Sequence, residues 1–219
     1  MNKITKETIL RLILLFLGLI IAHLGVTLFI LANEGADPFN VLIQGLRLLI
    51  IKTKIIEPTH GTVHMCVCFL IILALLFIDR SYIKLGTIVC MFCGGPIIDI
   101  FTLILKGFRI ENASLFIKII ILTIGCAILA FGMSVVIKSN AGTGPNDLVA
   151  VVISDKSKKR FGVIRIAVDV VFVLTGFILG GKFGIGTIIC AFLVGPVADF
   201  CMPFSESIVR SCVNKSTNH

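Results

Sequence analysis

Asp99 and Asp199 each stand three residues past a Gly-Pro pair, Gly95-Pro96 and Gly195-Pro196, inside otherwise apolar runs. A carboxylate in such a run either carries a proton or cation, or accepts hydrogen bonds from a helix start as an anion at the positive end. Arg165 and Asp169 lie four residues apart, one helical turn along one face, where they can pair and lower the cost of burial. A structural ion pair near the cytoplasmic end is the first reading of them. The second is a polar pathway, because the matching positions in the first half of the chain hold His64 and Cys68, and a histidine titrates near neutral pH. His23 is read as a hydrogen-bonded helix contact.

Covalent chemistry finds no such support. The chain has no Gly-x-Ser-x-Gly, Walker loop or His-Glu-x-x-His, and its serines lack an adjacent base, so no catalytic residue is expected. The eight cysteines include Cys66-x-Cys68 and Cys90-x-x-Cys93, both within apolar runs. Zinc motifs sit on turns with further ligands nearby, so these thiols read as small apolar fillers, and neither metal nor cofactor is expected.

The elements that must position these groups follow from composition. The chain has 219 residues, of which 57% are hydrophobic and 15% charged, with a mean hydropathy of +1.09. An integral membrane protein in contact with the lipid bilayer is the class that fits. Six apolar runs predict transmembrane helices: Leu12 to Leu31, Val63 to Ile78, Leu85 to Leu105, Leu115 to Ile137, Val163 to Leu179 and Phe183 to Met202. The first run is too long for a signal-peptide core and is expected to be retained. Thirteen of the 20 Lys and Arg residues fall on one side if the N-terminus is cytoplasmic. That asymmetry predicts both termini inside, with Asp155 to Arg160 as the strongest anchor. The net charge of +8 follows from topology, and its dispersal over short loops argues against a nucleic-acid partner.

The chain also repeats itself. A shift of 107 residues lays Gly18 on Gly125, Gly25 on Gly132, Asn33 on Asn140, Gly35 on Gly142 and Pro38 on Pro145, with Asn40 opposite Asp147. A shift of 100 lays LGTIVCMFCGGPIIDIF from Leu85 over IGTIICAFLVGPVADFC from Ile185. Three spans per copy force the second copy to enter from the opposite side, which makes the repeats inverted: residues 1–110 and 111–219, the latter with a short cytoplasmic tail. Each copy adds one short amphipathic or re-entrant helix. In GADPFN, Asp37 suits the N-cap and Pro38 the first helical position; in GTGPND, Gly144 and Pro145 take those places behind Gly142. Each Gly-Pro aspartate is expected beside its own repeat's short helix, Asp99 near Gly35 to Asn40 and Asp199 near Gly142 to Asp147. The free N–H groups of the Pro38 and Pro145 helices would then be the hydrogen-bond donors to Asp99 and Asp199.

GADPFN and GTGPND, each followed by a Gly-Pro-x-x-Asp span, resemble the YczE/YyaS/YitT family of bacterial integral membrane proteins, its YczE-like branch above all. The resemblance covers nearly the whole chain and implies a multi-pass protein of the bacterial plasma (inner) membrane with a role in transport or export. Gly35, Asp37, Pro38 and Asn40 match the first motif, and Gly142, Gly144, Pro145 and Asp147 the second; Asp37 stands where the second copy has Gly144. Size and span count also resemble the substrate-binding subunits of energy-coupling-factor transporters, although the duplication speaks for an autonomous unit.

The expectation is an all-α, six-span inverted-repeat protein that moves an unidentified small solute without enzymatic chemistry. A substrate-binding membrane subunit and a non-transporting scaffold or sensor are the alternatives, and a homo-oligomer or a further membrane partner is left open. The expected substrate or ion pathway draws on Asp37, Asn40, His64, Asp99, Asp147, Arg165, Asp169 and Asp199.

Overall fold

The structure is a computed structural model that describes residues 3–159 and 161–217. Those residues form eight α-helices and no strand: α1 (Lys3–Ala32), α2 (Pro38–Lys52), α3 (His60–Asp79), α4 (Leu85–Leu105), α5 (Leu115–Ser139), α6 (Pro145–Ser157), α7 (Phe161–Ile178) and α8 (Ile185–Thr217). Five of them, α1, α3, α4, α5 and α8, are long and apolar enough to cross a membrane. Large apolar side chains such as Phe77 and Phe200, each 85% exposed, cover the outside of the bundle. Only lipid tails solvate such a surface, so this is a polytopic helical membrane protein. The sixth expected span is α7, whose 18 residues reach about 27 Å, slightly short of the hydrocarbon thickness, and include Arg165 and Asp169.

Glycines let α1 and α5 approach to backbone contact at the centre. A Cβ at Gly18 would stand 2.9 Å from the carbonyl oxygen of Gly132, and one at Gly25 2.5 Å from that of Gly125. The pairing runs Gly18 to Gly132 and Gly25 to Gly125, so the two helices are antiparallel. Small residues are what close helix packing in lipid requires, because no apolar driving force separates helix contact from lipid contact.

Two short helices start inside the bundle. Asp37 is extended, and its carboxylate accepts from the backbone N–H of Asn40, with Pro38 opening α2 behind it. Gly144 and Pro145 open α6 in the same way, without a side-chain cap. The chain reaches each start through a glycine at positive φ, Gly35 at +97° and Gly142 at +151°. Both turns are pressed against the other half of the molecule: Gly186 N–H donates to Glu34 O at 2.7 Å, and Gly86 N–H donates to Ala141 O at 3.0 Å. Glu34 matches Ala141, and Gly86 matches Gly186, so one contact is made twice with the halves exchanged.

The last helix departs from the expected end at Met202. α8 continues through Pro203 as far as Thr217. Ser205 and Ser134 share a hydrogen bond of 2.6 Å, Lys138 pairs with Glu206 at 2.6 Å, and Val209 and Val213 pack on Leu14. These contacts with α1 and α5 hold as helix a segment that composition alone assigns to a tail.

Candidate functional site

The starts of α2 and α6 converge on α3 and α7. On the α2 side, Asp37 Oδ2 accepts from Asn40 Nδ2 at 2.7 Å. That fixes the amide, so Asn40 Oδ1 is the acceptor for His60 Nε2 at 2.8 Å. A cavity of about 10 Å³, room for one water-sized sphere, lies behind Asn40 and His60.

On the α6 side, Arg165 Nη1 donates to Asp147 Oδ1, and Arg165 Nε donates to Asp169 Oδ2 at 3.1 Å. Asn146 Nδ2 donates to Asp147 Oδ1 at 2.9 Å. Gly144 offers no capping atom, and Asp147 in the first turn supplies the negative charge that this helix start favours. One guanidinium thus joins α6 to α7, while Asp37 lies within electrostatic range of both Arg165 and Asp169. Asp147 and Asp169 remain partly accessible, at 14% and 26% side-chain exposure, so the cluster is not sealed in the core.

An aromatic and imidazole cluster adjoins it. Phe39, beside the α2 start, meets Phe172 at 5.4 Å between ring centroids, and Phe172 follows Asp169 by three residues on α7. His64 makes T-shaped contacts with Phe39 at 5.3 Å and with His23 at 5.6 Å between ring centroids. His23 Nδ1 bonds Leu19 O at 2.9 Å, whereas His64, only 6% exposed, has an Nδ1 without a partner.

The Gly-Pro aspartates lie elsewhere. Asp99 does not meet α2: it accepts from Gly61 N–H at 2.9 Å and from the Thr59 hydroxyl, and so holds the start of α3. Gly61 and Gly95 touch backbone to backbone there, which brings Asp99 to α3 rather than to the Pro38 helix. Asp199 is exposed on α8 and makes no hydrogen bond or ion pair among the described residues; a Cβ at Gly195 would meet nothing within 4 Å. The Pro38 and Pro145 helices are instead served by carboxylates of their own segments, Asp37 and Asp147.

Sequence reasoning missed His60, Asn146, Phe39 and Phe172. His60 stands one turn before His64 on the same face, a spacing that could have flagged it; the aromatic pair carries no such signal. All eight cysteines are free thiols, and among the described residues no three of His, Cys, Asp and Glu gather closely enough to hold a metal ion.

Outside this cluster, Lys118 Nζ donates to Glu34 Oε1 at 2.8 Å and holds that carboxyl below the usual glutamate range. A cleft of about 440 Å³ opens at the cytoplasm-facing end expected from the sequence, between α1, α5 and α8. Its basic residues Arg11, Lys138 and Arg210 are each bound to a glutamate.

Comparison with known proteins supplies the family. Residues 9–203 match a family of unknown function, DUF6198. The chain is 27% identical over 213 residues to "Uncharacterized membrane protein YczE" of Bacillus subtilis (strain 168), covering 97% of this chain and 94% of that protein. It is 27% identical over 190 residues to "Uncharacterized protein YyaS" of the same organism, covering 87% and 91%. An uncharacterized protein of Haemophilus influenzae is 29% identical over 188 residues, covering 86% and 81%. No solved structure matches. With the match running from within α1 into α8 and across both short helices, this chain belongs to the DUF6198 family and is a YczE-like membrane protein.

Proposed function

We propose that the chain is a small-solute transporter of the bacterial plasma membrane, with six spans in two inverted repeats, both termini cytoplasmic and no covalent chemistry. The observation that carries this reading is the reciprocal packing of the halves. Gly18 meets the equivalent of Gly25, and Gly25 meets the equivalent of Gly18, across antiparallel helices. Such exchange is what a pseudo-two-fold axis in the membrane plane produces. The starts of α2 and α6 both reach α7, through Phe39 on Phe172 and Asp147 on Arg165, and short helices that begin inside the bundle are the elements that hold a solute at mid-membrane in such transporters.

A second feature favours movement over a static scaffold: the two copies pack differently at matching positions. α7 rests on α2 at backbone distance, where a Cβ on Gly176 would stand 2.5 Å from Leu42 N. The matching contact of α3 with α6 is spaced by the side chains of Leu75, which stands where α7 has Gly176, and of Leu148 and Val152. Likewise Gly95 is covered by α3, while the matching Gly195 is bare. At Gly95 and Gly195 one protein holds both arrangements of one contact, as alternating access between two sides of a membrane requires.

The test has two parts. Single cysteines in a cysteine-free background should be labelled from opposite sides at residues 106–111 and 155–159, and labelling of both from one side refutes the inversion. Proteoliposomes should then show saturable solute flux that is lost on Arg165→Gln.

A further inference from the structure

The cleft between α1, α5 and α8 sits at the depth of lipid headgroups. Arg11 immediately precedes the apolar run Leu12 to Leu31, and Lys138 immediately follows the run Leu115 to Ile137. The first run alone makes about 30 Å of helix, the thickness of the hydrocarbon. Because α1 and α5 are antiparallel, both residues leave the hydrocarbon at one end, where Arg11 Nη1 donates to Ser139 O at 3.0 Å. The opening beside them, about 440 Å³, falls within the roughly 300–1,000 Å³ of small-molecule sites.

Its charges leave a surplus. Arg11, Lys138 and Arg210 line the cleft, and Lys84 reaches it through Asn140, whose Oδ1 accepts from Lys84 Nζ at 3.0 Å. Against these four cations stand the two glutamates that bind three of them, Glu7 and Glu206. The C-terminus of α5 adds roughly half a negative charge, which leaves about one and a half positive charges over. Donors remain as well. Arg210 gives Glu206 one bond, from Nη2 at 3.2 Å, and its side chain is 73% exposed, so most of its N–H groups are left for a ligand.

The same cleft has apolar walls, Ile137, Met202 and Val209, and Ile137 is among the side chains exposed on the outside of the bundle. A soluble anion gains from the basic residues alone. A phospholipid gains from both, and a basic pocket between membrane helices is what receives an anionic headgroup. A head with its own ammonium would set a fifth cation beside these four, with both glutamates already engaged.

We propose that this cleft binds the phosphate of an anionic phospholipid whose headgroup carries no ammonium, with Arg11, Lys138 and Arg210 as donors and Ile137, Met202 and Val209 against the apolar part of the lipid. Such binding requires neither flux nor inverted repeats, so it stands apart from the transport reading.

The experiment is thermal unfolding of the full-length protein in a neutral detergent, with phosphatidylglycerol added in steps of mole fraction, against phosphatidylcholine and against inorganic phosphate. Phosphatidylglycerol is expected to raise the melting temperature saturably, and the other two to leave it unchanged. Arg210 and Lys84 are exposed, so their substitution leaves the packing intact. Each of Arg210→Gln and Lys84→Gln should raise the half-saturating mole fraction about fivefold, the worth of one basic residue near an anionic surface. Arg210→Lys keeps the charge and should keep most of the response. Lys52→Gln with Lys106→Gln removes as much charge outside the cleft and should change nothing, which separates this site from the general attraction of a basic protein to anionic micelles. Equal responses to the two lipids, a phosphatidylglycerol response intact in the Arg210→Gln/Lys84→Gln double variant, or an equal loss in the Lys52→Gln/Lys106→Gln pair overturns the proposal. Stabilisation by inorganic phosphate that competes with the lipid would give the cleft to a soluble anion and overturn it equally.

Discussion

Asp99 and Asp199 occupy one sequence position twice and do different things, which makes them the sharpest test at the scale of single residues. Asp99 holds two donors at the start of α3, so Asp99→Ala should cost about 0.5–2 kcal/mol, the usual worth of an N-terminal cap, and Asp99→Asn less. Asp199 is exposed and unbonded among the described residues, so Asp199→Ala should stay within about 0.5 kcal/mol of the parent. Chemical denaturation in mixed micelles reads both, and equal losses would contradict the packing difference between the two halves. Glu34 gives a pH signature. Its folded carboxyl titrates below the unfolded value because Lys118 donates to it, so the pair's stabilisation is complete above about pH 5 and fades as pH falls through the folded value. The effect should be modest, since Glu34 is a third exposed, and Lys118→Met should abolish that part of the acid dependence.

Among the elements, what the sequence could reveal was whatever local chemistry decides. Pro38 and Pro145 mark helix starts because a fixed φ and a missing N–H suit only that position, and Asp37 and Gly144 precede them where caps belong. The glycines of α1 and α5 stand seven residues apart in each helix, a small-residue spacing from which a close helix contact can be read. Contacts between distant segments cannot. Nothing local says that Asp99 reaches Gly61 rather than Pro38, that Arg165 reaches Asp147 as well as Asp169, or that Glu34 bonds the start of α8. The end of α8 escapes the sequence for the same reason: Ser205 and Glu206 look like a polar tail until Ser134 and Lys138 lie opposite them. Glycine equivalence now yields a paired prediction. Gly95→Ala places a methyl against the Gly61 carbonyl and should cost about 1–3 kcal/mol, as overpacking does. Gly195→Ala meets nothing and should be neutral, or stabilise by up to about 1 kcal/mol through helix propensity. Melting temperatures of the two variants moving together would argue that both glycines are packed alike.

For the molecule as a whole, the question is whether the bare face of α8 is permanent or one of two states. In the first half α3 covers α4 at Gly95 and stands off from α6; in the second, α7 leaves α8 bare at Gly195 and rests on α2. An exchange of these packings would let α7 cover α8 while α3 leaves α4, and access would then pass to the other side of the membrane. A large side chain at Gly195 separates the possibilities. In the structure it has open space, so Gly195→Leu should leave the melting temperature unchanged within about 2 °C, a shift corresponding to less than about 1 kcal/mol in a chain of this size. A visited state in which α7 packs on α8 would be blocked by it, just as the Gly61 carbonyl excludes a side chain at Gly95. The reporter is a lone cysteine at Asp199→Cys, labelled by maleimide in native membranes with the eight natural cysteines removed. If the face closes part of the time, adding Gly195→Leu should raise the labelling rate several-fold, because the protected state is lost while the exposed state is untouched. An unchanged rate would mean that α8 is always open here, and the difference between the halves would then be a fixed asymmetry instead of one half of a transport cycle.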